Sequence, residues 1–321
     1  MGSASDNHGT VPAVELRNVH KRYGESEALQ GLDITIEPGE LVAILGPNGA
    51  GKTTAVGCML GLRRATSGSV RLFGLPPTDA AARARRGVML QESGVPGSLT
   101  VRELVDLVRA YYPAPLATRE AIGLAGLEAE AGKAAARLSG GQRQRLYFAL
   151  AICGNPDALF LDEPTVAMDV VSRRAFLDTI RRFPAAGRTV VFTTHDMHEA
   201  DELAGRVVVI DRGRVVADDT PAAIKACIPG KRVSFRTPGP LVAEDLAGLP
   251  LSGLSLGDAP MPAESAEPDA DGQLVRFLSN EPEVSLRALF ARGISIRDLE
   301  VSGADLEEAF LSLTGAREVR P

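Results

Sequence analysis

The sequence predicts an α/β protein in two parts: a core with a mixed or parallel sheet, an antiparallel β layer and a helical lobe, then a small α+β unit. Three observations support this prediction. Short apolar runs such as "LVAIL" (41–45) and "ALFL" (158–161) are typical of strands buried on both faces, as in a parallel sheet. Helical patterns separate these runs, as an α/β topology requires. The composition then changes near residue 230, where we expect a second unit.

The composition is that of an ordinary globular chain. Its 321 residues are 45% hydrophobic and 24% charged, and the net charge of −6 argues against a nucleic-acid partner, which would need a basic face. Three cysteines (Cys58, Cys153 and Cys227) form no C-x-x-C pair, so we expect reduced, mostly buried thiols. No secretion signal is visible, and the longest apolar run (146–154) is too short to cross a bilayer. The sequence therefore predicts a cytoplasmic chain.

The first domain is predicted to span residues 13–229, after a polar, disordered tail at residues 1–12. The alternating stretches "VELRNV", "LDITI" and "SVRLF" predict an antiparallel layer with one wet face. The segment 97–153 is helical throughout, and Thr100 with Glu103 has the spacing of a capping box. An all-helical insert of this kind forms a lobe on the α/β core.

The second domain is predicted as an accessory unit over residues 230–321. Residues 237–273 are rich in Pro, Ala, Gly and Asp without a clear period, which predicts a linker. The strand "QLVRFL", a helix near 283–292, the alternating "ISIRDLEV" and a final helix follow. The final helix has an apolar stripe made of Leu306, Ala309, Phe310 and Leu313. These elements indicate a small α+β fold.

The stretch "GPNGAGKT" (46–53) is the strongest motif of the chain. It follows the strand "LVAIL" and opens a helix, which is the context that the phosphate-loop pattern G-x-x-x-x-G-K-[ST] requires. The alternative, a glycine-rich turn with a coincidental lysine, does not explain this context. Lys52 is expected to reach the outer phosphates and Thr53 to offer its hydroxyl to Mg²⁺. The predicted nucleotide-binding residues of the loop are Gly46, Pro47, Asn48, Gly49, Ala50, Gly51, Lys52, Thr53 and Thr54.

Two carboxylates follow the buried strand of "ALFLDEP" (158–164). Alternation along a strand sends Asp162 and Glu163 to opposite sides, so one faces a metal ion while the other faces a water molecule. We predict that Asp162 supports Mg²⁺ and that Glu163 is the general base of a phosphoryl-transfer reaction.

Three further polar or aromatic side chains are candidates for the same site. Gln91 leaves the strand "VML" and is predicted to contact the metal or the water, although a polar residue at a strand end needs no such role. His195 ends the strand "TVVFTT" and can donate to a γ-phosphate. A metal pair made of His195 and His198 lacks an evident third ligand. Tyr23 either stacks on an adenine ring or packs in the core.

A second anion site is predicted in "RLSGGQRQRL" (137–146). Ser139 and Gln142 have the spacing of a capping box, and Gly140 and Gly141 leave backbone N–H groups bare at the positive end of a helix. Because the phosphate loop already provides one such site, the sequence raises the question of which phosphate this one binds.

Taken together, these motifs resemble the ATP-binding subunits of ABC transporters over about residues 14–225. The resemblance rests on "GPNGAGKT", the glutamine of "VMLQES", "LSGGQ", "LFLDEP", the aspartate of "VAMD" and the histidine of "TTHD". It implies that two nucleotide-binding domains pair head to tail, with "LSGGQ" of one copy closing over the ATP held by the other. Under this resemblance Ser139 and Gly141 contact the partner's γ-phosphate, Asp169 lies at the dimer seam, Gln91 senses the nucleotide and Tyr23 stacks on adenine.

The resemblance also implies an activity and partners. It implies an ATPase that uses ATP and Mg²⁺, forms a homodimer, and drives a separately encoded permease from the cytoplasmic face of the membrane. The ending "DLEVSGADLEEAFLSLTG" is similar to that of drug- and antibiotic-resistance exporter ATPases, which favours export. An importer ATPase shares every catalytic motif. A non-transport ATPase acting on ribosomes or DNA is disfavoured by the single cassette and by the short segment between Gln91 and Ser139. The C-terminal unit is expected to regulate the ATPase, strengthen the dimer or dock on the permease.

Overall fold

The computed structural model describes residues 11–90, 94–228, 230–239, 241, 252–256 and 273–314. The predicted N-terminal tail lies almost wholly outside these residues, and Gln91 lies outside them. The chain divides into two compact units after Pro221. The sequence places the boundary after residue 229 instead, because the change in composition comes only there.

The first unit contains nine strands and eight helices among its described residues, counting a short helix that crosses the boundary. The strands are β1 (Val14–Tyr23), β2 (Ser26–Ile36), β3 (Leu41–Leu45), β4 (Ser67–Leu72), β5 (Arg86–Met89), β6 (Ala158–Asp162), β7 (Thr189–Thr193), β8 (Arg206–Asp211) and β9 (Arg214–Asp219). The helices are α1 (Lys52–Met59), α2 (Ala80–Ala84), α3 (Val101–Arg109), α4 (Thr118–Leu124), α5 (Gly140–Ile152), α6 (Val170–Ala185), α7 (Met197–Leu203) and α8 (Pro221–Ala226).

The central sheet has six strands in the order β5-β6-β7-β3-β8-β9. All its pairs are parallel except the hairpin of β8 and β9. Every residue of β3, β6 and β7 is buried, as expected of parallel strands covered on both faces. The carboxyl ends of these three strands meet at one edge of the sheet, where α/β proteins bind ligands. The phosphate loop begins directly after β3, Asp162 is the last residue of β6, and His195 comes two residues after the end of β7, so all three lie at this edge.

The antiparallel layer and the helical lobe are present as predicted. Strands β2, β1 and β4 form an antiparallel sheet, and its apolar face joins α1 and the central sheet in one core. The lobe contains α3, α4 and α5, with short 3₁₀ turns at Glu128–Glu130 and Ala135–Arg137. Both predicted capping boxes form, at Thr100 and at Ser139. The predicted fold class is therefore confirmed for this unit.

The second unit is a four-stranded antiparallel sheet with two helices among its described residues. Its elements are β10 (Lys231–Thr237), β11 (Ser252–Leu256), β12 (Gln273–Ser279), α9 (Pro282–Ala291), β13 (Arg297–Gly303) and α10 (Leu306–Thr314), and the strand order is β11-β12-β10-β13. Val233, Phe235, Val275, Phe277 and Leu289 form its core.

Two parts of this unit correct the sequence prediction. The predicted linker 237–273 contains β11, which pairs with β12. The alternation in "SGLSL" is only five residues long, and the Pro, Ala and Gly residues around it conceal the strand pattern. Strand β10 was not predicted at all, although Val233, Phe235 and Thr237 are buried with the two-residue period of a strand.

The cysteines also correct an expectation. Cys58 and Cys153 are buried as predicted, whereas Cys227 is exposed. Cys227 directly follows the short helix α8, which ends at Ala226, and its thiol lies at the surface. No helix in the described part of the chain combines the length and the apolar character needed to cross a bilayer.

Candidate functional site

The phosphate loop connects β3 to α1 and is closed by its own hydrogen bonds. The N–H of Ala50 donates to the carbonyl of Pro47 at 3.1 Å. The ammonium of Lys52 donates to the carbonyls of Gly46 at 2.6 Å and Pro47 at 3.1 Å. Partial burial lowers the pKa of Lys52, and the charges of Glu163 and Asp162 oppose this shift. The ammonium group thus lies in the field of the predicted base, Glu163, and of the predicted metal ligand, Asp162.

Two glycines of the loop are required by close contacts. A Cβ atom on Gly46 would lie 2.2 Å from the carbonyl oxygen of Ile210. A Cβ atom on Gly51 would lie 2.6 Å from the carbonyl oxygen of Ala28, and the φ of Gly51 is +108°. The sequence predicts these glycines from the curl of the loop. The structure adds that neighbouring strands press against the loop and exclude any side chain there.

Asp162 is the last residue of β6 and is 8% exposed. One oxygen of its carboxylate accepts a hydrogen bond from the hydroxyl of Thr193, at the end of the neighbouring strand β7. Asp162 and Thr53 line the same cavity of about 260 Å³, together with Leu90, the last described residue before Gln91. Two residues with oxygen-bearing side chains, from different elements, therefore line one space.

Glu163 lies just beyond β6 in a left-handed backbone conformation, with a φ of +48°. Its N–H donates to the carbonyl of Thr193 at 3.1 Å. Because β6 ends at Asp162, strand alternation does not determine where the Glu163 side chain points. That side chain is 21% exposed, and its Oε1 atom lies 3.4 Å from Nδ1 of His195. The structure thus brings together two predicted catalytic residues that the sequence separates by 32 positions.

The "LSGGQ" segment begins α5 with a complete capping box. The hydroxyl of Ser139 accepts from the N–H of Gln142 at 3.2 Å, and the amide oxygen of Gln142 accepts from the N–H of Ser139 at 3.0 Å. The amide nitrogen of Gln142 donates to Glu130 at 3.0 Å. Both ends of this amide are engaged within the lobe, whereas Ser139 and Gly140 are exposed. The exposed first turn of the helix is the part that can meet an anion.

The segment with Asp169 lies beside "LSGGQ" in the same chain. A Cβ atom on Gly140 would lie 3.2 Å from Cβ of Ala167, and one on Gly141 would lie 3.7 Å from the carbonyl oxygen of Ala167. Asp169 caps α6 by accepting from the N–H of Ser172 at 2.9 Å, which lowers the pKa of the Asp169 carboxyl. These two predicted partner-facing segments are therefore neighbours.

Tyr23 ends β1 and is 44% exposed, so the alternative that it packs in the core is wrong. Its hydroxyl accepts from Arg63 at 2.6 Å, and the ammonium of Lys21 lies 4.8 Å from the ring centroid. The adenine-stacking role of this ring stays a prediction.

Two threonines were not predicted from the sequence: Thr193 and Thr194, whose hydroxyls bind the carboxylates of Asp162 and Glu199. Thr193 bonds to Asp162 and to the backbone of Glu163, and Thr194 bonds to the buried carboxylate of Glu199 at 2.8 Å. The available signal was the polar "TT" at the end of an otherwise apolar buried strand.

The chain is similar to known proteins of one family. The family model described as ABC transporter matches residues 29–166. The chain is 34% identical over 313 residues to the Nod factor export ATP-binding protein I of Burkholderia lata, covering 95% of this chain and 98% of that protein. It is 34% identical over 316 residues to a daunorubicin resistance ATP-binding protein of Streptomyces coeruleorubidus, covering 95% and 96%.

Solved structures are similar as well. A dimeric ATP-binding cassette in a post-hydrolysis state, bound to ADP and phosphate, aligns with a TM-score of 0.59 and 29% identity, covering 64% of this chain and 98% of the cassette. A bacterial Atm1-family ABC exporter with ATP bound aligns with a TM-score of 0.61 and 24% identity over 67% of this chain and 40% of the exporter, which shows the shared fold. Identity over nearly the full length of the relatives and the matching cassette fold establish the family: the chain is an ATP-binding protein of the ABC transporter family, with the ATPase fold of that family.

Proposed function

We propose that this chain hydrolyses ATP between two copies of itself and that this cycle drives a separately encoded membrane permease in export. The observation that carries the proposal is the arrangement at the carboxyl edge of the central sheet. There Lys52 of the phosphate loop interacts electrostatically with Glu163 and with Asp162, the last residue of β6. In the helical lobe, the first turn of α5 leaves Ser139 and Gly140 exposed.

The phosphate loop and the strand ends supply the chemistry. Backbone N–H groups of residues 46–53 and the ammonium of Lys52 hold the phosphates of ATP. Glu163 accepts a proton from the water that attacks the γ-phosphorus. The bond between the γ-phosphorus and the bridging oxygen breaks, and that oxygen leaves with ADP. His195 donates to the transferred phosphoryl group, where negative charge is held in the transition state.

The donors in the cavity next to the loop fit Mg²⁺. The hydroxyl of Thr53 and the carboxylate of Asp162 are hard oxygen ligands that line one space, and Mg²⁺ prefers such ligands beside substrate phosphates. Thr53 and Asp162 would hold the ion, with Gln91 as a further contact, and the ion would neutralise charge on the phosphates. Tyr23 supports the adenine ring.

The second half of the site comes from a second copy. Ser139, Gly140 and Gly141 close over the γ-phosphate of the partner's ATP, so that the nucleotide bridges two chains. Loss of the γ-phosphate removes this bridge and weakens the dimer. The dimeric state of a cassette 29% identical to this chain supports the pairing.

Export is supported by the relatives. One is named for Nod factor export and another for daunorubicin resistance, and both match nearly the full length of this chain. We therefore infer that the chain works at the cytoplasmic face of a membrane, bound to a permease that carries the transport path.

A mixing experiment tests the shared site. We expect ATP hydrolysis to be lost in Lys52→Met alone and in Ser139→Arg alone. The first variant lacks the loop lysine that holds the phosphates, and the second lacks the serine that closes over the partner's ATP. Mixed dimers contain one site with intact Lys52 and intact Ser139, so mixing should restore part of the wild-type rate. A mixture as inactive as its components, despite normal folding, would reject the head-to-tail arrangement. Co-purification with a membrane permease, as opposed to ribosomes, tests the transport role.

A further inference from the structure

Glu199 is a buried carboxylate that no step above uses. It lies in α7 and is 3% exposed. Its Oε1 atom accepts from the hydroxyl of Thr165, and its Oε2 atom accepts from the hydroxyl of Thr194 at 2.8 Å. Nε of Arg173 lies 3.4 Å from Oε1. A carboxylate this buried is costly unless it is paired and hydrogen-bonded, and here both oxygens have partners.

These partners come from three different segments of the site. Thr165 follows Glu163 by two residues, and Thr194 directly precedes His195. Arg173 lies in the first turn of α6, where its N–H donates to the carbonyl of Asp169 at 2.8 Å. One carboxylate therefore connects the segments that carry the general base, the histidine and the aspartate predicted at the dimer seam.

The segment after β6 needs such a connection. Glu163 and Ala167 both have left-handed backbones, with φ values of +48° and +65°. Non-glycine residues keep this conformation only where the surrounding structure determines it, and such residues concentrate at functional sites. Thr165 lies between the two strained residues and is 5% exposed. Its bond to Glu199 anchors the middle of this turn, while the hydroxyl of Thr193 anchors its start at the N–H of Glu163.

The segment after β7 is fixed by the same network. The hydroxyl of Thr194 also accepts from the N–H of Asp196 at 3.0 Å. Asp196 accepts from Nη1 of Arg173 at 2.7 Å and caps α7 at the N–H of His198. His195 stands between Thr194 and Asp196, so its backbone is held on both sides.

We propose that Glu199 is a positioning residue for ATP hydrolysis. It holds Thr165 and Thr194 so that Glu163 and His195 stay 3.4 Å apart at the γ-phosphate position. Among the described contacts, Glu199 bonds to the segments that carry Glu163 and His195 but makes none with the phosphate loop or with Glu163 and His195 themselves. This inference rests on the proposed ATPase function and assigns a role within it.

The test separates turnover from binding. In Glu199→Ala we expect kcat to fall at least about tenfold, because small displacements of reacting groups are costly, while KM and the affinity for a fluorescent ATP analogue change by less than about threefold. Glu199→Gln should recover part of the rate, because its amide oxygen still accepts one hydroxyl and its amide nitrogen donates to the other. Glu202→Ala is the matched control: Glu202 lies on the same helix, is exposed, and pairs with Arg181 at 2.8 Å. It should hydrolyse ATP at the wild-type rate.

Two further variants protect the test against a loss of folding in Glu199→Ala. Thr165→Val and Thr194→Val keep the side-chain shape. The first removes the hydrogen bond to Glu199, and the second removes the bond to Glu199 together with the one from the N–H of Asp196. Each should lower kcat at unchanged KM. The proposal is overturned if folded Glu199→Ala retains a kcat within about twofold of wild type. It is also overturned if both valine variants keep a kcat within about twofold of wild type. A fall in the kcat of Glu199→Ala that is matched by an equal loss of nucleotide affinity would overturn it as well. An inactive wild-type chain would instead reject the proposed function itself.

Discussion

Oε1 of Glu163 lies 3.4 Å from Nδ1 of His195, across the ends of the neighbouring parallel strands β6 and β7. Glu163 is the predicted general base, and His195 is predicted to donate a hydrogen bond to the γ-phosphate. Neither position is close enough in sequence to the other for local structure to create the pair. The pair exists because β6 and β7 are in parallel register, with Asp162 opposite Thr193.

Replacing the predicted base should separate binding from turnover. In Glu163→Gln we expect ATP hydrolysis to fall by about 10²–10⁴-fold, because the amide cannot accept the proton from water. ATP affinity should persist, since Lys52 and the loop are unchanged, and an ATP-bound dimer should accumulate. Phosphate release and light scattering check both effects. Near-normal hydrolysis would remove Glu163 from this role; Glu202→Gln is the control for loss of a negative charge.

The first turn of α5 offers a test of pairing. Ser139→Arg places a bulky cation where the partner's phosphate should approach, so we expect ATP binding to monomers but no ATP-dependent dimer. The variant also loses a helix cap, which costs about 1 kcal/mol. Thr100→Arg is a matched control, because Thr100 makes the same capping box at the start of α3. Equal loss of dimer in both variants would attribute the effect to capping alone.

Gly51 is predicted to tolerate no side chain. Gly51→Ala forces a Cβ atom to within 2.6 Å of the Ala28 carbonyl oxygen at a φ of +108°. We expect the midpoint of thermal unfolding to fall, with a strain cost of about 1–3 kcal/mol, and ATP affinity to drop at least tenfold as the loop shifts. Gly132→Ala has open space around the added atom and should match wild type in both measurements. An unchanged affinity in Gly51→Ala would contradict the close packing of the loop.

Thiol reactivity should follow burial. Burial raises the pKa of Cys153 to about 11 and also raises the pKa of Cys58, so both are protonated at pH 8 and shielded from reagents. Cys227 is exposed, and we expect iodoacetamide to label it first in the native protein. Mass spectrometry of digested samples locates the label, and Cys227→Ser should remove the rapid phase. Rapid native labelling of Cys153 would contradict its burial.

The core of the fold was predictable from sequence for a physical reason. The runs that form β3, β6 and β7 are apolar on both faces, which is typical of strands in a parallel sheet covered on both sides. The phosphate loop was equally predictable, because its glycines, lysine and flanking elements form one contiguous motif. The confirmed α/β assignment depends on these local signals.

The connections between segments were not predictable. Glu199 bonds to Thr165 across 34 positions, and no sequence period marks that pair. Helix α7 carries Glu199 on its buried side although its sequence, "MHEADEL", has the composition of a solvated acidic helix. Strand β10 was missed for a related reason: its buried Val233 and Phe235 alternate with Arg232 and Arg236, and the charges conceal the strand.

The hydrogen bonds from Lys52 to the carbonyls of Gly46 and Pro47 have a kinetic consequence. They keep the loop in its curled shape with the chain's own groups, so an arriving triphosphate exchanges hydrogen-bond partners instead of reshaping the backbone. Because the loop is already in its binding conformation, nucleotide binding avoids the entropy loss of ordering it. We therefore expect capture of the nucleotide to proceed at a rate set by encounter and not by rearrangement of the loop.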